Sequence, residues 1–386
     1  MKKLKTNKQM KHFFKFLAIA AIFSILFSGC QKDDSIIDDD EQLPTQTVTS
    51  IAGFYLLNQG NMNTNKASLD FYDYASGKYQ NNLFSKANPE AVLGLGDVGN
   101  DLGVYGSKLY AVINNSNKLE IMDVVTTKRL KAIEIEGARF VTFARGKAYV
   151  SAYGKSVNGF VTEIDTATMT ITKTVEVGRQ PEELTVVDEK LYVANAGWAS
   201  APDYETTVSV IDLNSFNVIK KIEVAPNLQR VRSDKNGNLY VSSQGDYDKI
   251  PSKLFVIDTK KGEVTNSFDI PTSNLTIVGD TAYIVSATFS METYKYDLGY
   301  HLIDIKKGEI LKDSFLSKSV RDKIEMPYGI AVDPASKDIY ITDALDFASP
   351  GKLYCIDNEG SEKFTNITGD VPANIAFVYS TKAVNK

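Results

Sequence analysis

From Gly53 to the C-terminus, short apolar runs alternate with polar turns, and no helical period of useful length interrupts them. The runs repeat. A tyrosine opens YLLN at Tyr55, YAVI at Tyr110, YVSA at Tyr149, YVAN at Tyr192, YVSS at Tyr240, YIVS at Tyr283 and YITD at Tyr340. A second run follows each and ends in aspartate: LDFYD at Asp73, LEIMD at Asp123, FVTEID at Asp165, VSVID at Asp212, LFVID at Asp258, HLID at Asp304 and LYCID at Asp357. A third run follows a turn, as in TKTVEV from Thr172, and a fourth precedes each tyrosine, as in LTVV from Leu184. Four short strands per unit, roughly 47 residues per unit and seven units predict an all-β chain, a seven-bladed β-propeller with four-stranded blades. Each sheet would bury both faces against its neighbours, which explains why VSVI before Asp212 is not strictly alternating. The repeated tyrosine is then a packing residue between blades. The first unit lacks an innermost strand, while PANIAFV from Pro372 matches PEELTV from Pro181 and PYGIAV from Pro327. Ile375 to Val378 is therefore expected to close blade one beside Tyr55, removing two exposed sheet edges.

The N-terminus does not belong to this pattern. Lys2, Lys3, Lys5, Lys8, Lys11 and Lys15 precede an apolar run from Phe16 to Phe27, too short to span a bilayer as a retained helix. Residues 1–29 read as a signal peptide. With Ser28 and Gly29 before it, Cys30 resembles the lipidated cysteine of a bacterial lipoprotein; a plain secretory signal with an incidental cysteine is the alternative. Residues 30–50 are polar and acid-rich, a flexible tether, and the propeller is expected over 51–386. Gln31-Lys32-Asp33-Asp34 resembles the export signal that carries Bacteroidetes lipoproteins to the outer face of the outer membrane, which implies a lipid-anchored protein facing the cell exterior.

Composition narrows the chemistry. The signal carries six of the 43 basic residues and none of the 48 acidic ones, leaving a remainder about 11 charges negative, which disfavours nucleic acid. Beyond Cys30 there is only Cys355, so core packing alone holds the fold. Cys355 lies within a strand run and reads as a small buried hydrophobe. The one histidine beyond the signal, His301, opens a strand run and reads as a packing or edge residue ahead of a general base. With one histidine and one thiol, a zinc site of the usual ligand type is not expected. Asp246 with Asp248, and Asp343 with Asp346, read as turn residues ahead of calcium ligands. GLGDVG from Gly94 imitates a phosphate-binding loop but has no strand-to-helix context. No catalytic residue, cofactor or metal is expected.

Binding fits better. In a propeller the loops joining second to third strands share a face with those leading into each innermost strand. The former carry Asn58 and Gln59 in blade one, Tyr153 in blade three, Asn195, Trp198 and Tyr204 in blade four, Gln244 and Tyr247 in blade five, Phe289 and Tyr294 in blade six, and Asp343 and Phe347 in blade seven. Tyr328 enters blade seven. The residues before each innermost run, Asp101, Arg139, Glu183, Arg230, Asn274, Gly329 and Asn374, are expected to ring the channel mouth. Aromatic and amide groups on one face suit a large amphipathic ligand.

YVAN at Tyr192 is similar to the YVTN signature of the YVTN (YncE-like) seven-bladed propellers, and the resemblance in pattern runs from Gly53 to Tyr379. Joined to the Cys30 and Gln31-Lys32-Asp33-Asp34 features, it resembles the surface cobalamin-binding lipoproteins of Bacteroides, the BtuG group. That resemblance implies a protein that captures cobalamin (vitamin B12) outside the cell and passes it to a TonB-dependent outer-membrane transporter. A surface propeller binding a glycan, peptide or partner protein is the alternative, and a propeller lyase or lactonase is the competitor of another class.

Overall fold

A computed structural model describes residues 45–290, 292–312 and 314–385. The expected signal peptide 1–29, the lipidation site Cys30 and the export signal at 31–34 lie outside them. The chain divides into a first unit, Thr49–Thr381, and a second that holds the remaining residues. The first is the propeller.

Among the described residues, seven four-stranded antiparallel sheets follow one another along the chain. The innermost strands are Gly99–Tyr105, Ala138–Ala144, Pro181–Val187, Leu228–Ser233, Asn274–Val278 and Pro327–Val332 in blades 2 to 7. Blade 1 takes its innermost strand from the other end of the chain: Pro372–Asn385 lies beside Thr45–Asn58, ahead of Ser68–Asp73 and Lys78–Gln80. The expected ring closure is present.

The repeated tyrosine does pack between blades, each against the next in the ring. Tyr55 packs with Leu109 and Ala111 of blade 2, Tyr110 with Ala148 and Val150 of blade 3, and Tyr149 with Leu191 and Val193 of blade 4. Tyr192 meets Leu239 and Val241, Tyr240 meets Ala282 and Ile284, and Tyr340 of blade 7 meets Phe54 and Leu56 of blade 1. Tyr283, half-buried, sits with Ile339 and Ile341. Burying one such ring contributes on the order of 2 kcal/mol, so the interfaces between blades are the main cohesive element of the ring. Tyr55 adds a hydrogen bond, donating to the Val124 carbonyl at 2.6 Å, and burial pushes its phenol up to about 12.

The aspartate that ends each third strand caps the following turn. Its carboxylate accepts the backbone N–H two residues on, at 2.9 Å for Ala75, 3.1 Å for Val125, 3.0 Å for Ala167, 3.2 Å for Asn214, and 2.9 Å for Lys260, Lys306 and Glu359. The Ser76 hydroxyl at Asp73, and the N–H and hydroxyl of Thr126 at Asp123 and of Ser215 at Asp212, are the main hydrogen bonds that hold these carboxyls below their ordinary value, and the N–H two residues on adds to them.

Candidate functional site

One face of the ring gathers the loops between second and third strands with those that enter each innermost strand. Its rim is aromatic. Trp198 opens a single 3-10 turn, Trp198–Ser200, after Gly197, whose φ of 63° and the backbone nitrogen of Glu205, pressed against the place where a Cβ would stand, exclude any side chain there. The Trp198 Nε1–H donates to the Tyr153 hydroxyl at 3.2 Å, with the rings edge to face at 5.6 Å. Tyr204 meets Tyr247 across neighbouring blades at 6.4 Å, Phe289 meets Tyr294 at 6.4 Å, and Tyr328 meets Phe347 at 5.8 Å.

Three of these rings stand at loop tips in a conformation that disfavours bulky side chains. Tyr247, Tyr294 and Phe347 have φ of 60°, 52° and 60°, and are 74%, 74% and 38% exposed. The left-handed region costs a residue with a Cβ about 1–2 kcal/mol, and glycine or asparagine would serve a turn more cheaply. Asp246 fixes the blade 5 tip by accepting N–H groups from Asp248, Lys249 and Ile250 at 2.9, 2.8 and 2.7 Å. Asp346 does the same for Ala348 and Ser349. One acid of each pair that sequence reasoning weighed as calcium ligands, Asp246 and Asp346, thus holds the loop of an exposed aromatic in place, and the described residues contain no group of three or more metal-ligating side chains.

Inside the rim the innermost strands open into the channel. Five of them carry a β-bulge near the mouth, where the register slips between Gly99 and Asp101, Ala138 and Val141, Pro181 and Leu184, Leu228 and Val231, and Pro327 and Ile330. A bulge presents two successive side chains where a regular strand presents one. The expected ring is therefore split into two layers. Arg139, Arg230, Asn274 and Asn374 line a mouth cavity of about 150 Å³, together with Gln59, Asn100, Glu182, Gln229 and Tyr328. Asp101 and Glu183 face instead a deeper cavity of about 460 Å³, which Asn274 and Asn374 also line. The upper places assigned from sequence to Asp101, Glu183 and Gly329 belong to their neighbours Asn100, Glu182 and Tyr328.

The mouth is tightly bonded. Arg139 donates to Glu182 Oε2 from Nε at 3.0 Å and from Nη2 at 2.7 Å, and the Tyr153 hydroxyl donates to Glu182 Oε1. Burial works against the Arg139 charge, yet the adjoining Glu182 carboxylate keeps its pKa above the ordinary value. Burial, then the same carboxylate, drives the Tyr153 phenol well upward. Asn374 donates to the Asn100 carbonyl at 2.6 Å, Asn274 to the Tyr328 carbonyl at 3.2 Å, and the Tyr328 hydroxyl to Gln59 Oε1 at 2.6 Å. Gln244 is half-buried and ties its loop to the Thr272 carbonyl at 3.0 Å. In the deeper layer Glu183 pairs with Arg232 at 2.6 Å and accepts the Val231 N–H, while Asp101 accepts the Val141 N–H at 2.9 Å. Burial, with the Glu183 charge adding to it, pushes Asp101 up to about 6.

Three expected binding residues are removed from the surface. Asn58, Asn195 and Asp343 end second strands and have no exposed area. Asn58 donates to Asp70 at 2.8 Å, Asn195 to Ser209 at 2.9 Å, and Asp343 accepts the Glu325 and Met326 N–H groups. They latch loops from beneath because a polar side chain at a strand end can satisfy the backbone and hydroxyl groups that the sheet ladder leaves. His301 sits on the third strand of blade 6, opposite Ile284, and lines neither channel cavity. Cys355 is fully buried, which pushes its thiol up to about 12.

Residues 52–370 match the family model described as a domain of unknown function, DUF5074. The chain belongs to the DUF5074 family. No curated protein matches it. Solved propellers resemble this DUF5074 chain at low identity. A quinonprotein alcohol dehydrogenase-like protein from Bacteroides thetaiotaomicron is 14% identical over 86% of this chain and 79% of its own, with a TM-score of 0.57. A Bacteroides uniformis protein described provisionally as a 6-phosphogluconolactonase is 11% identical over 85% of this chain and 100% of its own, at 0.60. Hydrazine synthase from Kuenenia stuttgartiensis is 17% identical over 68% and 77%, at 0.55. At such identities the likeness is one of fold alone.

Proposed function

We propose that this DUF5074 protein is an outer-membrane lipoprotein, anchored through Cys30 and facing the cell exterior, whose loop face binds cobalamin and passes it to a TonB-dependent transporter. The observation that carries the binding reading is the set of aromatics held in left-handed tips, Tyr247, Tyr294 and Phe347, exposed around a polar channel mouth. Local strain kept at rings that each meet a single neighbouring aromatic edge to face has little packing return, and a ligand that stacks on them supplies more. The mouth cavity of about 150 Å³ is too small for a corrin ring. The ring would lie across the rim on Trp198, Tyr204, Tyr247 and Phe289, with a side arm reaching into the mouth, where Asn, Gln and Tyr side chains match amide groups. Capture and hand-over need no bond to break, so no general base is required on this face.

A second reading has its own support. A cleft of about 390 Å³, lined by Asn65, Ser68, Asn81, Asn82, Ser85 and Thr368, offers the amide and hydroxyl groups that a glycan uses. Calorimetric titration of the purified protein with cyanocobalamin separates the two. Saturable heat at micromolar concentrations supports the cobalamin reading, and no heat there sinks it.

A further inference from the structure

The charged groups of the channel mouth are not all matched. Glu182 has its carboxylate oxygens occupied by Arg139 and Tyr153. Among the described residues Arg230 lines the same cavity without an acid partner: it meets the Ser273 carbonyl at 3.5 Å from Nε and the Phe140 ring at 5.0 Å. Its Nη1 is buried and has no hydrogen-bond partner among the described residues. An unsatisfied N–H on a charged, enclosed guanidinium is a costly defect that folded proteins seldom keep without a use. Other donors converge on the space. Gln59 has its Oε1 taken by Tyr328, which leaves its amide nitrogen to offer, and among the described residues Asn274 and Asn374 each donate one amide hydrogen to a carbonyl, leaving the other. Arg139 stands 5.7 Å from the Phe140 ring that Arg230 also flanks, so two cations border the cavity against one carboxylate.

We propose that the channel mouth is an oxyanion subsite built on Arg230, which receives a phosphate or carboxylate group of the ligand. The guanidinium fork matches either group, and the amides of Asn274 from the adjacent blade 6 and of Gln59 and Asn374 from blade 1 line the same cavity. This deepens the reading above and rests on it for the identity of the bearer, since cobalamin carries a phosphodiester in its nucleotide arm.

The test uses inorganic phosphate and acetate as separate probes, titrated calorimetrically into the purified protein and into R230M and R230K. The expected result is saturable binding of at least one anion by the wild type, weakened by about ten-fold or more in R230M and partly kept in R230K. Thermal unfolding of each variant without anion verifies that it is folded, and R230K, which retains the charge, carries the test where R230M is not. No binding of either anion by the wild type, or equal binding by R230M, overturns the subsite. Cyanocobalamin is then titrated into wild type and R230M. Equal affinity for the two overturns the entry of the ligand's phosphate into the mouth while leaving cobalamin binding intact. Anion binding at Arg230 with no cobalamin binding by the wild type keeps the subsite and removes cobalamin as its bearer.

Discussion

Replacing Asp101 with asparagine tests the electrostatics of the channel. The Asp101 carboxyl is buried in the deeper cavity and its pKa rises from 3.8 to about 6. Desolvation is the main cause and the Glu183 charge a lesser one. A shift of that size makes the ionised form cost about 3 kcal/mol in the folded state, to order of magnitude. The folded protein binds this proton more tightly than the unfolded chain, so the contribution is whole below pH about 4 and is lost as the pH rises through about 6. The turn aspartates Asp73, Asp123, Asp212 and Asp258 are shifted the other way by their hydrogen bonds. What they contribute is present at neutral pH and lost only in stronger acid, so the two windows are separate. The carboxamide introduced by D101N would still accept the Val141 N–H but would not ionise. Urea unfolding of wild type and D101N at pH about 4 and about 7.5 reads the difference. The stability of D101N relative to wild type should grow by about 3 kcal/mol between those values. Parallel pH curves for the two proteins would refute the reasoning.

Deleting the closing strand Pro372–Asn385 should abolish cooperative unfolding and drive aggregation in gel filtration, because it strips blade 1 of its innermost strand and bares sheet edges; a monomer that still unfolds cooperatively would contradict the closure. R139M leaves Glu182 buried without its cation and should cost about 3–5 kcal/mol in urea unfolding, much of it recovered in the R139M/E182Q pair. Tyr294→Asn should stabilise the protein by up to about 1 kcal/mol through relief of its left-handed backbone, yet weaken ligand binding. Trp198→Ala and Tyr247→Ala should each lower ligand affinity roughly ten-fold with little change in Tm, since both side chains are substantially exposed.

The repeat carried the fold. Seven tyrosines are spaced by blades because each must reach the next blade, and the closing strand was readable because PANIAFV keeps the apolar pattern of other innermost strands. The recurring aspartate was visible as a pattern, but its work as a turn cap lies in backbone N–H groups that no side-chain pattern displays. The face was legible by topology, its depth was not. Glu182 and Glu183 are adjacent acids whose division between mouth and deeper channel follows from a bulge, and a bulge leaves no periodic mark in a strand of seven residues. Asn58 and Asn195 looked like loop amides because a strand's last residue and a loop's first have the same composition; only their hydrogen bonds to Asp70 and Ser209 separate latch from surface. The same bulges hide Asn100, Glu182 and Gln229 from the sequence pattern, whose one signal for them is their position beside Asp101, Glu183 and Arg230.

The chain has a single tryptophan, and Trp198 stands on the rim of the proposed binding face, 45% exposed and bonded to Tyr153. Its emission therefore reports from the site itself. Titrating the purified protein with cyanocobalamin, with free tryptophan amide as the control for light absorbed by the ligand, should give saturable quenching beyond the control at micromolar concentrations. Emission that follows the control throughout would contradict cobalamin capture on this face.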